Sequence, residues 1–311
     1  MVKKKSIDIV IPCMNEEDNV WRIYERIHNV CPPVYDLRLI FVDDGSKDAT
    51  LKKIRELQQK YPKEVFYISF SRNYGHQKAL KAGLDHSTGD AVISIDADMQ
   101  QPPELIPEMI RKWEEGFDIV YTRRIDNESV SFFKKITAKV FYHSLNYLSG
   151  VNIDSGAADF RLLDRKVVDV VASLKEEFLF IRGMISYIGF NQFPIDYTPA
   201  KREHGQTKYT FKKMFQFALE GITSFSTKPL HLATILGFSL FAFSIAYSLY
   251  AVYVYFFTDI AISGWTSLLV SVLLLGGVQL MMLGILGEYI GKMFIEVKSR
   301  PMYIIQEKKI K

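Results

Sequence analysis

The sequence predicts an α/β protein: a mainly parallel sheet with helices on both faces, followed by two C-terminal transmembrane helices. Three observations carry this. Over residues 7–122, short β-type runs alternate with amphipathic segments, the pattern of successive βαβ units. Residues 229–257 and 260–287 contain no Asp, Glu, Lys or Arg, and each run exceeds the ~20 residues that cross a bilayer core. Polar and charged groups gather just after each strand, where such sheets bind ligands.

The elements follow in order. IDIVIP (7–12) reads as a strand and 16–29 as a helix. LRLIFVDD (37–44) is the second strand, with a helix over 47–61. EVFYISF (64–70) is the third, with a helix over 76–87. AVISID (91–96) is the fourth, with a helix over 103–116, and FDIVYT (117–122) is the fifth. Net charge is only +4 over 311 residues, so nucleic acid is not an expected partner. Cys13 and Cys31 fit no disulfide or metal spacing and read as buried thiols in a reducing compartment. The start MVKKKSIDIVIP is too short and polar for a signal peptide, which places the N-terminus in the cytosol.

Flanking charge sets the topology of the apolar runs. Lys208, Lys212, Lys213 and Lys228 precede the first; Lys292, Lys298, Arg300, Lys308, Lys309 and Lys311 follow the second. The positive-inside rule then places both ends in the cytoplasm and the short connection outside. Tyr247, Tyr250, Tyr253, Tyr255, Phe256 and Trp265 crowd toward the outer side as an interfacial belt. Gly277, Gly284, Gly287 and Gly291 form a small-residue track that suits close helix contact and a homo-oligomer. Glu288, at the span's edge, reads as interfacial. The segments 129–150 and 208–226 mix lysines with apolar residues at helical spacing. They read as helices in the membrane interface or as amphipathic packing on the sheet.

The chemistry of the rim is legible residue by residue. Asn15 and Glu16 follow the first strand; Asp43 and Asp44 the second; Arg72, Asn73 and His76 the third; Asp96, Asp98 and Gln100 the fourth; Arg123 and Arg124 the fifth. Glu16 and Asp43 are acceptors suited to ribose hydroxyls and base N–H groups. Asp98 and Gln100, with Asp96 behind them, offer hard oxygens that suit Mg²⁺ or Mn²⁺ with phosphate completing the shell. The competing reading of that stretch is a solvated turn at a strand end. No G-x-x-x-x-G-K-[ST] or G-x-G-x-x-G is present, so a diphosphate is expected on metal rather than on a glycine-rich loop. Arg123, Arg124 and Arg161 would offset repulsion between two phosphates; the alternative for Arg161 is an ion pair with Asp164 or Asp169. His76 reads as a phosphate contact or a structural helix-start residue. His204 sits in a glycine-containing loop suited to a mobile lid.

VIPCMNEEDNV, VDDGSKDAT, SRNYGHQKALKAG, DADMQQPPE and SGAADFRLLDR together resemble the inverting, GT-A-fold glycosyltransferases of family 2. Within these, the chain is similar to the polyprenyl-phosphate enzymes, and GILGEYIGKMFIEVKSRPMYII resembles the bacterial bactoprenol branch. The resemblance implies a Rossmann-like GT-A sheet and a metal on Asp98 and Gln100, with Asp96 beside them. It implies a donor nucleotide at Pro12, Glu16 and Asp43, with Asn15, Asp44, Arg72, Asn73 and Asp96 nearby. Arg123, Arg124, Lys134, Arg202 and Lys208 would meet the lipid phosphate, and Asp159 matches the position of the base. Lys134, Ala138 and Ala158 stand where relatives carry arginine, serine and glycine. The absence of Q-x-x-R-W fits transfer of a single sugar. A phosphate acceptor is already largely dianionic at neutral pH, so Asp159 either removes a proton or orients the acceptor or an arginine.

The expectation is therefore a multi-pass enzyme of the plasma membrane with a cytoplasmic catalytic domain. It would move one hexose from UDP-glucose to undecaprenyl phosphate, as a homo-oligomer that the resemblance makes a tetramer. Another sugar (GlcNAc, mannose or an aminosugar) and a catalytically silent membrane adaptor are the rival readings; a flippase would need more than two spans. The expected division is a catalytic domain over 1–207, an amphipathic helix over 208–228, a transmembrane hairpin over 229–291 and a basic tail over 292–311.

Overall fold

The computed structural model describes residues 4–125, 150, 156–177, 181–198, 223, 226–257 and 264–310. The chain divides into two compact units. The first alternates as the sequence predicts: β1 (Ser6–Cys13), α1 (Val20–Val30), β2 (Asp36–Asp43), α2 (Thr50–Lys60), β3 (Val65–Phe70), α3 (His76–Asp85), β4 (Ala91–Ser94), α4 (Ile106–Glu114) and β5 (Ile119–Arg124). It continues with β6 (Ala157–Asp164), α5 (Arg165–Ser173), α6 (Ile181–Ile188) and β7 (Gln192–Tyr197), and it is completed by β8 (Ile305–Lys309).

The sheet order is β7-β5-β6-β4-β1-β2-β3-β8. β1 runs parallel to β2 and β4, β2 to β3, and β5 to β7. β6 runs antiparallel to both β4 and β5. Side-chain alternation builds a core on each face. Ile7, Ile9 and Ile11 pack with Ile23 and Ile27 of α1 and Met109 of α4. Val10, Ile40 and Val42 pack with Leu80 and Leu84 of α3 and Val167 and Val171 of α5. α3 lies very close to the sheet: a Cβ on Gly83 would fall 2.1 Å from Val10 Cγ1. That close approach seats α3, which begins at His76, directly on the sheet.

Two differences from the sequence reading matter for function. The helix expected over 16–29 starts only at Val20. Asn15 takes a left-handed φ of 57°, and residues 14–19 stay in the rim as a turn. The stretch expected as a basic tail is ordered into secondary structure at 292–297 and 305–309. The preceding helix ends at Val297, and 305–309 pair antiparallel with β3. Ile305, and Ile310 just beyond the strand, pack partly buried against the second core.

In the second unit, α7 (Lys228–Phe257) and α8 (Trp265–Val297) are 30 and 33 residues long. Their apolar segments, Lys228–Tyr250 and Val270–Val297, are long enough to cross a membrane, and neither window is buried. Tyr247, Tyr250, Tyr253 and Phe256 are all exposed. The expected amphipathic stretch 208–228 lies almost wholly outside the described residues, as does most of 129–150.

Candidate active site

The ends of β1 and β2 make one wall of the rim. The Asn15 N–H donates to Ser46 Oγ at 3.0 Å, and its Oδ1 accepts from Lys47 N at 2.9 Å. The Glu16 N–H donates to Thr50 Oγ1, and a carboxylate oxygen accepts from Asn19 Nδ2 at 2.6 Å. Burial, with the charges of Asp98, Asp48 and Asp96, pushes the Glu16 carboxyl upward against that hydrogen bond. Asp43 is almost fully buried. Its oxygens accept from Ser46 N at 3.1 Å and Ser69 Oγ at 2.8 Å, so it shapes the wall from behind. Pro12 is buried at the end of β1.

The β3–α3 loop stands opposite. Asp44 accepts from Tyr74 N at 2.6 Å and Gly75 N at 2.9 Å. The sequence placed Asp44 among the donor contacts; the structure gives its carboxylate to this loop. Gly45 makes the approach possible: its φ is +67°, and a Cβ there would lie 2.5 Å from the Arg72 carbonyl carbon. Arg72 lies over the Tyr74 ring at 4.2 Å. Arg72 and Asn73 are both exposed on the rim.

The centre of the rim is the turn after β4. Asp96 Oδ1 pairs with His76 Nε2 at 2.7 Å, Oδ2 accepts from Gln101 Nε2 at 2.6 Å, and the Asp96 N–H donates to Gln101 Oε1 at 2.9 Å. Both oxygens thus have protein partners. Burial disfavours a charged His76 ring, but the hydrogen bond and charge of Asp96, with the charge of Asp159, raise its pKa to about 9. Met99 has a φ of 63°, a left-handed kink that leaves Asp98 exposed. Asp98 Oδ1 accepts from Gln100 N at 3.1 Å, and the two side chains are hydrogen-bonded.

Because β6 is antiparallel, its first residues arrive at this same rim. Ser94 pairs with Arg161, so continuing that register puts Asp159 level with Asp96. Asp159 is held by a guanidinium that the sequence did not single out: Arg182 Nε lies 2.7 Å from Oδ1 and Nη2 2.9 Å from Oδ2. Arg161, also buried, reaches Asp159 at 3.7 Å and donates to Ala158 O at 2.8 Å. Burial alone would raise the Asp159 carboxyl; Arg182 above all, with Arg161 and His76, holds it well below the usual carboxylate range. Burial pulls Arg161 down to about 10 against the pull of Asp159. Its Nε is buried and meets no hydrogen-bond acceptor among the described residues.

The ion pair foreseen for Arg161 with Asp164 or Asp169 is not formed. Asp164 caps α5 through Lys166 N and accepts from Trp113 Nε1, while Asp169 pairs with Arg165. Arg123 forks onto Asp196 at 2.6 and 2.9 Å, so its charge is matched by a carboxylate in the next strand. Arg124 is exposed beside it. The Tyr197 phenol is buried near the centre, where Arg124, Asp96, Asp98 and Arg182 all act on it. Lys134, Arg202, His204 and Lys208 lie outside the described residues.

Residues 8–171 match the model of glycosyl transferase family 2. This chain belongs to that family. Along its whole length it is 44% identical to the uncharacterized glycosyltransferase YkcC of Bacillus subtilis, covering 96% of this chain and 93% of that one. It is 42% identical to the bactoprenol glucosyl transferase of Shigella phage SfII, covering 97% of each. A solved glucosyl-3-phosphoglycerate synthase from Mycobacterium tuberculosis, bound to Mn²⁺ and UDP, aligns at a TM-score of 0.45. It is 18% identical over 70% of this chain and 78% of that one, too distant to carry residue roles.

For a family 2 glycosyltransferase, the sequence reading missed three rim residues. Arg182 sits in FLFIRGMISY, which reads as an ordinary amphipathic helix; only the fold reveals its partner. Gln101 was masked by its neighbour Gln100. Tyr197 follows PID on an edge strand and carries no motif.

Proposed function

We propose that this glycosyltransferase moves one glucosyl residue from UDP-glucose to undecaprenyl phosphate, with inversion, at the cytoplasmic face of the plasma membrane. The observation that carries the reading is one rim bearing an exposed carboxylate turn beside an arginine cluster, in a chain that matches bactoprenol glucosyl transferases end to end.

The donor side fits a divalent cation. Burial and the charges of Asp98, Asp48 and Asp96 push the Glu16 carboxyl upward, an excess of negative charge that a cation would relieve. Among the described residues, no three carboxylate, histidine or cysteine side chains form a closed cage. Mg²⁺ or Mn²⁺ would keep phosphate oxygens in its shell. Asp98 and Gln100 would hold the ion; Asp96, engaged by His76 and Gln101, orients the turn. When bound, the metal neutralises charge on the departing diphosphate. Glu16 and Asn15 face the nucleotide, with Asp43 and Asp44 shaping the pocket behind them.

The acceptor phosphate oxygen attacks the anomeric carbon as the bond to the UDP oxygen breaks. The acceptor is largely dianionic near neutral pH, so no base is required. A carboxyl held far below its ordinary range is in any case a weak base. Asp159 therefore acts as the anchor that aims Arg182, with Arg161 behind it, at the approaching phosphates. Arg124 adds charge on the acceptor side, and Lys134, Arg202 and Lys208 are the further candidates there. The apolar helices α7 and α8 cross the membrane as a hairpin with both termini in the cytoplasm, and the glycine track on α8 serves self-association into a tetramer.

The test is direct. Purified protein is incubated with Mg²⁺ or Mn²⁺, undecaprenyl phosphate and a panel of radiolabelled nucleotide sugars. Labelled lipid is expected with UDP-glucose; label from another donor reassigns the sugar, and no labelled lipid with any donor rejects the reading.

A further inference from the structure

Where the chain goes after α8 has a bearing on the donor site. β8 begins opposite Phe70, the last residue of β3, which is the end of that strand at the rim. Just before β8, Tyr303 stacks on Phe70 with ring centroids 5.0 Å apart and planes 17° from parallel. Phe70 meets Tyr74 edge-on at 5.7 Å, and Tyr74 carries Arg72 on its face. The Ser71 N–H donates to Ile304 O at 3.0 Å. The Tyr303 hydroxyl donates to Asp85 at the far end of α3, at 3.0 Å. Loop 71–75 is thus gripped on one side by Asp44 and Gly45 and on the other by residues 303–304. It leads directly into His76 and its contact with Asp96.

We propose that Tyr303 is a positioning residue for the donor site. Acting through Phe70 and the Ser71 backbone, it holds loop 71–75 so that Arg72, Asn73 and His76 meet the nucleotide diphosphate in one fixed geometry. This rests on the reading above that the donor binds at this rim. A strand serving only to cover the edge of β3 needs backbone pairing and nothing more. The ladder from Tyr303 through Phe70 and Tyr74 to Arg72 goes beyond that, since it ends on exposed rim side chains. Preorganising a binding loop acts on affinity rather than on the chemical step.

The experiment uses the full-length protein in nanodiscs, comparing wild type with Tyr303→Ala, Tyr303→Leu and Tyr303→Phe. Calorimetry gives the Kd for UDP and for UDP-glucose with Mn²⁺, and turnover gives kcat and the KM of donor and acceptor separately. Tyr303→Ala is expected to raise the donor Kd and KM about three- to tenfold, with kcat and acceptor KM unchanged. Tyr303→Phe, which keeps the stack, is expected to restore the wild-type donor KM. Tyr303→Leu keeps apolar bulk without the aromatic face and guards against simple misfolding; it is expected to follow Tyr303→Ala. Unchanged donor Kd and KM in both truncated variants, with only a lower melting temperature, would overturn the proposal and leave β8 as an edge cover. A wild-type protein that binds no uridine nucleotide would overturn this inference and the function proposed above together. Wild-type binding matched by Tyr303→Ala overturns this one alone.

Discussion

Arg182 and Asp159 form a two-pronged ion pair, each carboxylate oxygen facing a different nitrogen of the same guanidinium at 2.7 and 2.9 Å. The pair joins a helix to a strand whose sequence positions are 23 residues apart. The proposed function makes this carboxylate a fixed support rather than a proton acceptor. Removing either partner is therefore expected to cost catalysis through loss of aim. Asp159→Asn and Arg182→Ala should each lower kcat by about a hundredfold or more, while Arg182→Lys, lacking the planar fork, recovers only part. The discriminating measurement is the pH–rate profile: if Asp159 is no base, the acid limb that remains in Asp159→Asn falls at the wild-type pH.

The same pair predicts a pH-dependent stability. A carboxyl whose folded pKa is depressed contributes stability that is full above its unfolded value, about 3.9, and is lost as pH falls toward the folded value. Thermal melts of wild type and Asp159→Asn should thus differ by a constant amount above about pH 5 and converge below about pH 4. Above pH 5 the difference is expected to be about 3 kcal/mol, since the variant leaves two arginines without their buried counter-charge.

The two carboxylates of the turn after β4 should separate by experiment. Asp98→Asn is expected to raise the metal concentration for half-maximal activity and to lower kcat at least about a hundredfold. Asp96→Asn loses its grip on His76 and on Gln101, so activity falls while the metal half-saturation stays put. A metal titration of both variants decides this, and an equal shift in the two would place Asp96 on the ion.

Two glycines of the donor wall give a further contrast. Gly45→Ala combines a φ of +67° with a Cβ 2.5 Å from backbone. It should cost about 1–3 kcal/mol and weaken donor binding as loop 71–75 is pushed away. Gly75→Ala has a φ of +99° but nothing within 4 Å of its Cβ. It should show only the conformational penalty, about 1–3 kcal/mol. Chemical denaturation and nucleotide titration of both variants check the pair.

Much of this was legible in the chain itself. Period-2 apolar runs ending in carboxylates or arginines marked β1 through β5 and the rim together, because strand periodicity and ligand-facing strand ends are local properties. The D-A-D-M-Q turn was visible for the same reason. What escaped reading depends on contacts distant in sequence. Nothing near Arg182 announces that it will face Asp159, since an arginine on a short amphipathic helix has many possible neighbours. Asp44 looked like a ligand contact because its use by the Tyr74 and Gly75 amides needs the turn at Gly45 to bring two loops together. Residues 305–309 looked like a charged tail because IQEKK carries one apolar residue, and only Ile305 and Glu307 are half-buried, a pattern that has meaning only beside the open edge of β3.

That last pairing also sets a schedule for making the protein. Tyr67 of β3 waits for Lys309, and at cellular elongation rates the interval is roughly ten to fifty seconds. Both apolar helices are synthesised late in that interval, and throughout it β3 presents an unpaired edge, the kind of surface on which nascent chains join one another. Finishing the sheet is thus a late event on the ribosome, and a chain interrupted after α8 would carry both apolar helices and a sheet still open to aggregation.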